Sequence, residues 1–78
     1  MNLIIDIGNT NAKIAIFDHD NIVEADTIKT SNIIEGINKF TQKYKAVNRA
    51  IISNVSIIDN HEIKKHLSLQ SVSFIAQA

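Results

Sequence analysis

Apolar residues follow two different spacings along this chain, and each spacing predicts a different kind of element. In the first part of the chain they form short runs rich in β-branched side chains, which are typical of strands. These runs predict three strands, at residues 2 to 7, 12 to 18 and 22 to 28. The polar segments between them, Gly-Asn-Thr-Asn and His-Asp-Asn, are too short for a parallel crossover, so we expect antiparallel hairpins.

The first and third strands are predicted to occupy different places in the sheet. Leu3, Ile5 and Ile7 point to one face of the first strand and Ile4 to the other, the pattern of a central strand buried on both faces. Glu24 and Asp26 share one face of the third strand. Their charge favours an edge position, where it also prevents unwanted pairing.

From Ser31 the spacing of apolar residues becomes that of a helix. The helix is predicted to run to about Lys45, with Ser31 or Asn32 as its N-cap. Its apolar stripe consists of Ile33, Ile34, Ile37, Phe40 and Tyr44, the last at the edge of the core. Gly36 inside the helix costs about 1 kcal/mol relative to alanine. The helix therefore depends on packing against the sheet.

A second, shorter helix has the clearer local signature. Asp59 and Glu62 form a pair like a capping box, and the helix is predicted to end near Leu67. A buried strand at residues 49 to 56 precedes this helix, and a last strand at residues 71 to 76 follows it.

The predicted order is three antiparallel strands, helix, strand, helix, strand. Each strand-helix-strand unit forms a right-handed crossover, so the fold class is α/β with a mixed five-stranded sheet. Residues 1 to 78 make one small domain, which we expect to be truncated before its last helix, because a face-covering helix after the fifth strand is missing. A domain of this size is expected to be marginally stable.

Composition and charge narrow the function classes. With 8 basic and 8 acidic residues the formal net charge is zero, which removes the main argument for nucleic acid or an anionic membrane as a partner. The absence of cysteine excludes disulfides, a thiolate nucleophile and Cys-ligated zinc. The first apolar run is broken at Asp6, too early for a signal peptide or spanning helix. We therefore expect a cytoplasmic protein.

The segment from Asp6 to Lys13 is the first candidate site. A charged Asp6 at the end of a buried strand costs several kcal/mol unless it is paired, hydrogen-bonded or bound to a metal, and magnesium held through water is one explanation. Gly8 allows close approach to the backbone, while Asn9, Thr10 and nearby amides can surround phosphate oxygens. Lys13 adds a positive charge. By spacing alone the segment is equally compatible with a polar turn whose amides bind Asp6.

Other polar residues are weaker candidates. His61 and His66 are five residues apart, which at about 100° per residue turns them away from each other, so we expect a solvated surface. His19 is expected in a polar hairpin tip. Ser53 and Asn54 end the fourth strand, where they either line a ligand cleft or simply begin a loop.

The first 23 residues, MNLIIDIGNTNAKIAIFDHDNIV, closely resemble the N-terminus of type III pantothenate kinases, the family that includes the Bvg accessory factors. The likeness includes Asp-x-Gly-Asn-Thr close to Met1, the Lys-Ile-Ala-Ile-Phe-Asp strand, and a later Ile-Ser-Asn-Val-Ser where the family typically has Ile-Ser-Ser-Val. Asn54 departs from that pattern, so no function is carried onto it.

The resemblance implies the actin-like, ribonuclease H-like fold, of which this chain is the N-terminal half; the second domain is absent. It implies that the loop after the first strand binds the phosphates of ATP. The implied ATP-binding residues are Asp6, Ile7, Gly8, Asn9, Thr10, Asn11, Ala12 and Lys13. Asp6 is also the implied ligand of Mg²⁺, through water.

The resemblance further implies transfer of the ATP γ-phosphate to pantothenate, in coenzyme A biosynthesis, with Mg²⁺ and a monovalent cation, K⁺ or NH₄⁺, in a protein that is usually a homodimer. The family's catalytic base is an aspartate in a Gly-x-Asp-Arg segment, which this sequence lacks. We therefore expect no catalytic residue in this chain and no activity from it alone. Two alternatives stay open: another actin-like-fold kinase acting on a sugar or carboxylic acid, and a non-enzymatic accessory module that binds a partner.

Overall fold

All five strands and both helices expected from the apolar spacing are present in the computed structural model, which describes residues 1 to 75. The elements are β1 (Asn2–Ile7), β2 (Asn11–Asp18), β3 (Asn21–Lys29), a 3₁₀ turn (Thr30–Asn32), α1 (Ile33–Lys43), β4 (Arg49–Asn54), α2 (Asn60–Lys65) and β5 (Ser71–Ile75). Neither helix combines the length and apolar character needed to cross a membrane.

Several predicted ends were wrong by about one or two residues. The first helix ends at Lys43 because Tyr44 leaves helical geometry, with φ −114° and ψ 83°. The second ends at Lys65, and the amides of His66 and Leu67 then bind carbonyls three residues back, as in a tightened last turn. The fourth strand ends at Asn54, and residue 76 of the predicted fifth strand lies outside the described residues.

The sheet has the order β3-β2-β1-β4-β5. The pairs β1–β2 and β2–β3 are antiparallel, while β1–β4 and β4–β5 are parallel. This arrangement confirms the predicted mixed sheet and places β3, with its two carboxylates, at an edge. Because β1, β3 and β4 all run in one direction, their carboxyl ends meet at the same edge of the sheet.

One face of the sheet holds the core. Leu3, Ile5 and Ile7 are fully buried in a single cluster with one face of β2 and β4 and with the apolar faces of α1 and α2. The prediction that β1 is buried on both faces was wrong, since Ile4 is only half-buried and Asp6 is exposed. The physical reason is that both helices pack against the same face.

Glu24 fastens the edge strand to the C-terminal end of α1. Its carboxylate accepts hydrogen bonds from Lys43 Nζ, at 2.7 Å, and from the Tyr44 hydroxyl. The bond from Lys43, followed by that from Tyr44, lowers the pKa of Glu24, and the same carboxylate raises the pKa of both partners. The Tyr44 ring packs against Phe40, which confirms its place at the core edge.

Gly36 lets α1 approach β3 closely. A Cβ atom at Gly36 would lie 2.5 Å from Cδ1 of Ile28, a contact that requires the Ile28 side chain to move. The helix therefore gives up about 1 kcal/mol of intrinsic helix propensity at this position in exchange for packing against the sheet.

We predict that Gly36→Ala stabilises the protein more in an Ile28→Val background than in the wild type. Ile28→Val removes the Cδ1 methyl group that a Cβ atom at residue 36 would contact. The higher helix propensity of alanine, about 1 kcal/mol, then stabilises the protein without this clash. A double-mutant cycle of urea unfolding measures the difference. Equal effects of Gly36→Ala in both backgrounds would show that the Ile28 contact does not matter.

Candidate functional site

A tight hairpin joins β1 to β2 at the carboxyl edge of the sheet. The amide of Gly8 donates to the carbonyl of Asn11 at 2.9 Å, which leaves Asn9 and Thr10 at the tip. A Cβ atom at Gly8 would lie 2.9 Å from that carbonyl oxygen. Because the obstacle is backbone, any larger residue would distort the turn, so the glycine is required by the hairpin itself.

Asp6 lies at the base of this hairpin, on the face of the sheet that neither helix covers, which we call the open face. Its neighbours across the strands are Lys13 on β2 and Ser53 on β4. Asp6 is exposed, and within residues 1 to 75 its carboxylate has neither a hydrogen bond nor an ion pair. The interpretation in which the turn's amides bind Asp6 is therefore wrong, and because Asp6 is not buried, it also avoids the desolvation cost expected from the sequence.

The hairpin tip presents hydrogen-bond donors rather than using them internally. The side chains of Asn9 and Thr10 are exposed, and within the described part of the chain neither residue's backbone N–H forms a hydrogen bond. Successive free amides with amide and hydroxyl side chains form the kind of surface that binds anions. A free carboxylate beside these donors suits a hydrated divalent cation together with phosphate oxygens.

The eight residues predicted to bind ATP differ in exposure: two are buried, Gly8 is half-buried and five are exposed. Ile7 and Ala12 are buried in the core, so only their backbone atoms can face a ligand. The exposed residues among the eight are Asp6, Asn9, Thr10, Asn11 and Lys13. Lys13 lies beside Asp6 on the open face but does not pair with it. The positive charge is thus near the carboxylate and below the hairpin tip.

Asn54 organises its own loop. Its side-chain NH₂ group donates to the Ile58 carbonyl and the Asn60 side chain, both at 2.8 Å, and its oxygen accepts from the amide and hydroxyl of Ser56 at 2.9 and 2.7 Å. These bonds favour the loop interpretation of Asn54 over the cleft interpretation. Ser53 is half-buried and lies next to Asp6 in the sheet register.

Thr30 is a residue of the site that the sequence reasoning missed. It begins the 3₁₀ turn after β3 and is only 5% exposed. Its hydroxyl donates to the Gly8 carbonyl and its amide to the Thr10 carbonyl, both at 2.8 Å. One signal was available in the sequence: a parallel β1 and β3 place residue 30 at the same edge of the sheet as the Gly8 turn.

Within residues 1 to 75, no histidine side chain pairs with a residue of this hairpin. His19 is at the tip of the β2–β3 hairpin, with a left-handed φ of 57° and Nδ1 3.0 Å from Asp18 Oδ1. His66 Nε2 is 3.6 Å from Glu62 Oε1 on α2.

Among residues 1 to 75, no three His, Asp or Glu side chains form a cluster that could hold a metal ion. A cation at Asp6 would therefore keep most of its ligands from water or phosphate.

The sheet order, the two helical crossovers and the polar loop after the first strand define the class of protein. It is an α/β domain of the actin-like type, corresponding to the N-terminal half of that fold. A family model described as type III pantothenate kinase matches residues 2–76, and the chain belongs to that family. The resemblance found in the N-terminal sequence is thus confirmed.

Two relatives show how much of the family's length is present. The chain is 32% identical over 72 residues to the type III pantothenate kinase of Christiangramia forsetii, an alignment that covers 88% of this chain and 30% of that protein. It is 42% identical over 55 residues to the type III pantothenate kinase of Bacteroides fragilis, which covers 70% and 22%. The chain therefore spans less than a third of the length of these relatives.

Proposed function

We propose that this chain supplies the first half of the ATP site of a pantothenate kinase, with the Gly8–Asn11 hairpin as its phosphate-binding loop. The observation that carries the proposal is a free carboxylate, Asp6, next to a hairpin tip with unused donors at the carboxyl edge of the sheet. Open α/β sheets bind their ligands at this edge. Membership of the family supports ATP as the ligand.

In this proposal the loop binds phosphate oxygens through donors. The amides and side chains of Asn9 and Thr10 donate to the phosphates, and the ammonium group of Lys13 adds electrostatic attraction from below the tip. Ile7 and Ala12 anchor the two ends of the hairpin in the core, so the donors are held in place before the nucleotide arrives.

Asp6 is proposed to orient the magnesium ion through water molecules. The residues present fit this ion, because an exposed, unpaired carboxylate is the oxygen ligand that hydrated Mg²⁺ accepts in nucleotide sites. Held there, Mg²⁺ would neutralise the negative charge on the phosphates during transfer. In this proposal the chain positions the ion with the carboxylate of Asp6.

The rest of the reaction is proposed from the family. The acceptor is pantothenate, the reaction belongs to coenzyme A biosynthesis, and a monovalent cation, K⁺ or NH₄⁺, and a homodimer accompany it. We propose that the catalytic base and a second domain lie in sequence beyond these 78 residues, since the chain contains no Gly-x-Asp-Arg segment. The cytoplasm is the proposed location.

An acceptor panel tests this function. The longest native reading frame that contains residues 1 to 78 is incubated with Mg·ATP and pantothenate, a sugar or a simple carboxylic acid, and ADP release is measured. We expect release only with pantothenate, and none from the 78-residue chain alone. Transfer to a sugar without transfer to pantothenate would favour the other kinase, and turnover by the short chain would place the catalytic base within it.

A further inference from the structure

Thr30 connects three parts of the domain at one point. Its hydroxyl and amide bind the carbonyls of Gly8 and Thr10, and its own carbonyl accepts the amide of Ile33 at the start of α1. The hydroxyl bond joins residues 22 positions apart in the sequence. The phosphate-binding loop is thus tied to both the edge strand and the first helix.

The two bonds determine which way the loop's peptide groups face. A trans peptide is planar, so its carbonyl and the next residue's N–H point in opposite directions, and the described residues contain no cis peptide. With the Gly8 carbonyl held toward Thr30, the N–H of Asn9 points away from Thr30. The bond to the Thr10 carbonyl orients the following amide, that of Asn11, in the same way.

Loss of the hydroxyl would release this orientation. Without the Thr30 donor, the partly buried Gly8 carbonyl loses its hydrogen bond, and rotation of the Gly8–Asn9 peptide toward solvent would hydrate it. That rotation also turns the Asn9 amide inward and presents a carbonyl oxygen where a phosphate oxygen is expected. Because two oxygen acceptors repel each other, the affinity for the nucleotide would fall, while the packing of the core would stay the same.

We propose that Thr30 is a positioning residue for ATP, which holds the Gly8–Asn11 hairpin with its donors facing the phosphates. This inference rests on the proposed phosphate-binding role of that hairpin. Thr30 touches neither the nucleotide nor the acceptor; it acts through the backbone of Gly8 and Thr10.

The test compares Thr30→Val with Thr30→Ser in the longest native reading frame that contains this chain. Valine keeps the shape of threonine without the hydroxyl, whereas serine keeps the hydroxyl. We expect Thr30→Val to raise KM for Mg·ATP about five- to a hundredfold, the effect of leaving a partly buried carbonyl without its donor, with KM for the acceptor unchanged. Thr30→Ser is expected to restore KM for ATP to within about twofold of the wild type.

Thr41→Val is the matched control. The Thr41 hydroxyl also donates to backbone carbonyls, those of Ile37 at 2.9 Å and Asn38 at 3.2 Å, but both bonds lie within α1. A rise in KM for ATP in Thr30→Val but not in Thr41→Val, with both variants folded by circular dichroism, would support the positioning role. A purely structural role predicts that KM for ATP is unchanged in both variants.

The outcomes separate this inference from the function on which it rests. If the wild type transfers phosphate and Thr30→Val keeps its KM for ATP, or if Thr30→Ser fails to restore it, the role of Thr30 is overturned and the proposed function stands. If the wild type neither binds nor uses Mg·ATP, both are overturned.

Discussion

Replacing Ile5 by alanine is expected to destabilise the protein by about 2 to 5 kcal/mol. Ile5 is 1% exposed at the centre of β1, between Ile14 on β2 and Ile52 on β4. The alanine loses the transfer free energy of the removed atoms and leaves a cavity that rigid sheet neighbours cannot fill. A domain of this size has a total stability of only about 4 to 12 kcal/mol, so the loss is a large fraction.

Urea unfolding followed by circular dichroism measures this effect. Ile57→Ala is the matched control, because Ile57 is fully exposed in the β4–α2 loop and its truncation is expected to change stability by less than about 0.5 kcal/mol. Equal unfolding midpoints for Ile5→Ala and Ile57→Ala would contradict the assignment of the helix-covered face as the core.

The architecture followed from the sequence because its local signals agree with one another. The short apolar runs identified the strands, the short polar junctions determined the antiparallel pairing, and the change of spacing at Ser31 located the first helix. Asp59 caps the second helix, since its carboxylate accepts the amide of His61 at 2.8 Å. The reciprocal half of the predicted capping box is wrong, because the Glu62 carboxylate accepts from Lys65 Nζ at 3.3 Å instead of from the Asp59 amide. Such signals involve residues that are close in the sequence, so they can be interpreted without knowledge of the tertiary structure.

What the sequence could not predict depends on contacts between distant residues. The exposure of Asp6 follows from both helices packing on one face, and the alternation of apolar residues in β1 does not reveal which face that is. Thr30 reaches Gly8 only after three strands have paired in register. Asn54 gave no sign that its side chain would bind its own loop. The sequence indicated residues 6 to 13 as a candidate site, but it did not show which of them are exposed and which are buried.

Replacing Asp6 by asparagine is expected to have the largest effect on nucleotide binding. The substitution keeps the size of the side chain and removes the charge, and Asp6 has no partner in the described structure that its loss would leave unpaired. The fold should therefore be unaffected. Losing a charged ligand of the hydrated magnesium ion should weaken Mg·ATP binding about ten- to a hundredfold, the range of hydrogen bonds to charged groups.

Asp20→Asn provides the control for the change of charge. Asp20 is exposed in the β2–β3 hairpin tip and, within residues 1 to 75, makes no ion pair. Like Asp6→Asn, the Asp20→Asn substitution removes one negative charge from the chain. Because surface charges separated by more than a Debye length are screened in physiological salt, Asp20→Asn is expected to leave Mg·ATP affinity unchanged.

The most direct test of the central claim is the affinity for ATP, with and without Mg²⁺, of the wild type, Asp6→Asn and Asp20→Asn in the longest native reading frame. The proposed site predicts that magnesium strengthens ATP binding in the wild type and in Asp20→Asn, and that Asp6→Asn loses most of this magnesium dependence while its thermal unfolding stays as in the wild type. If Asp6→Asn binds Mg·ATP with wild-type affinity and magnesium dependence, the hairpin after β1 is an ordinary polar turn and the proposed site is wrong.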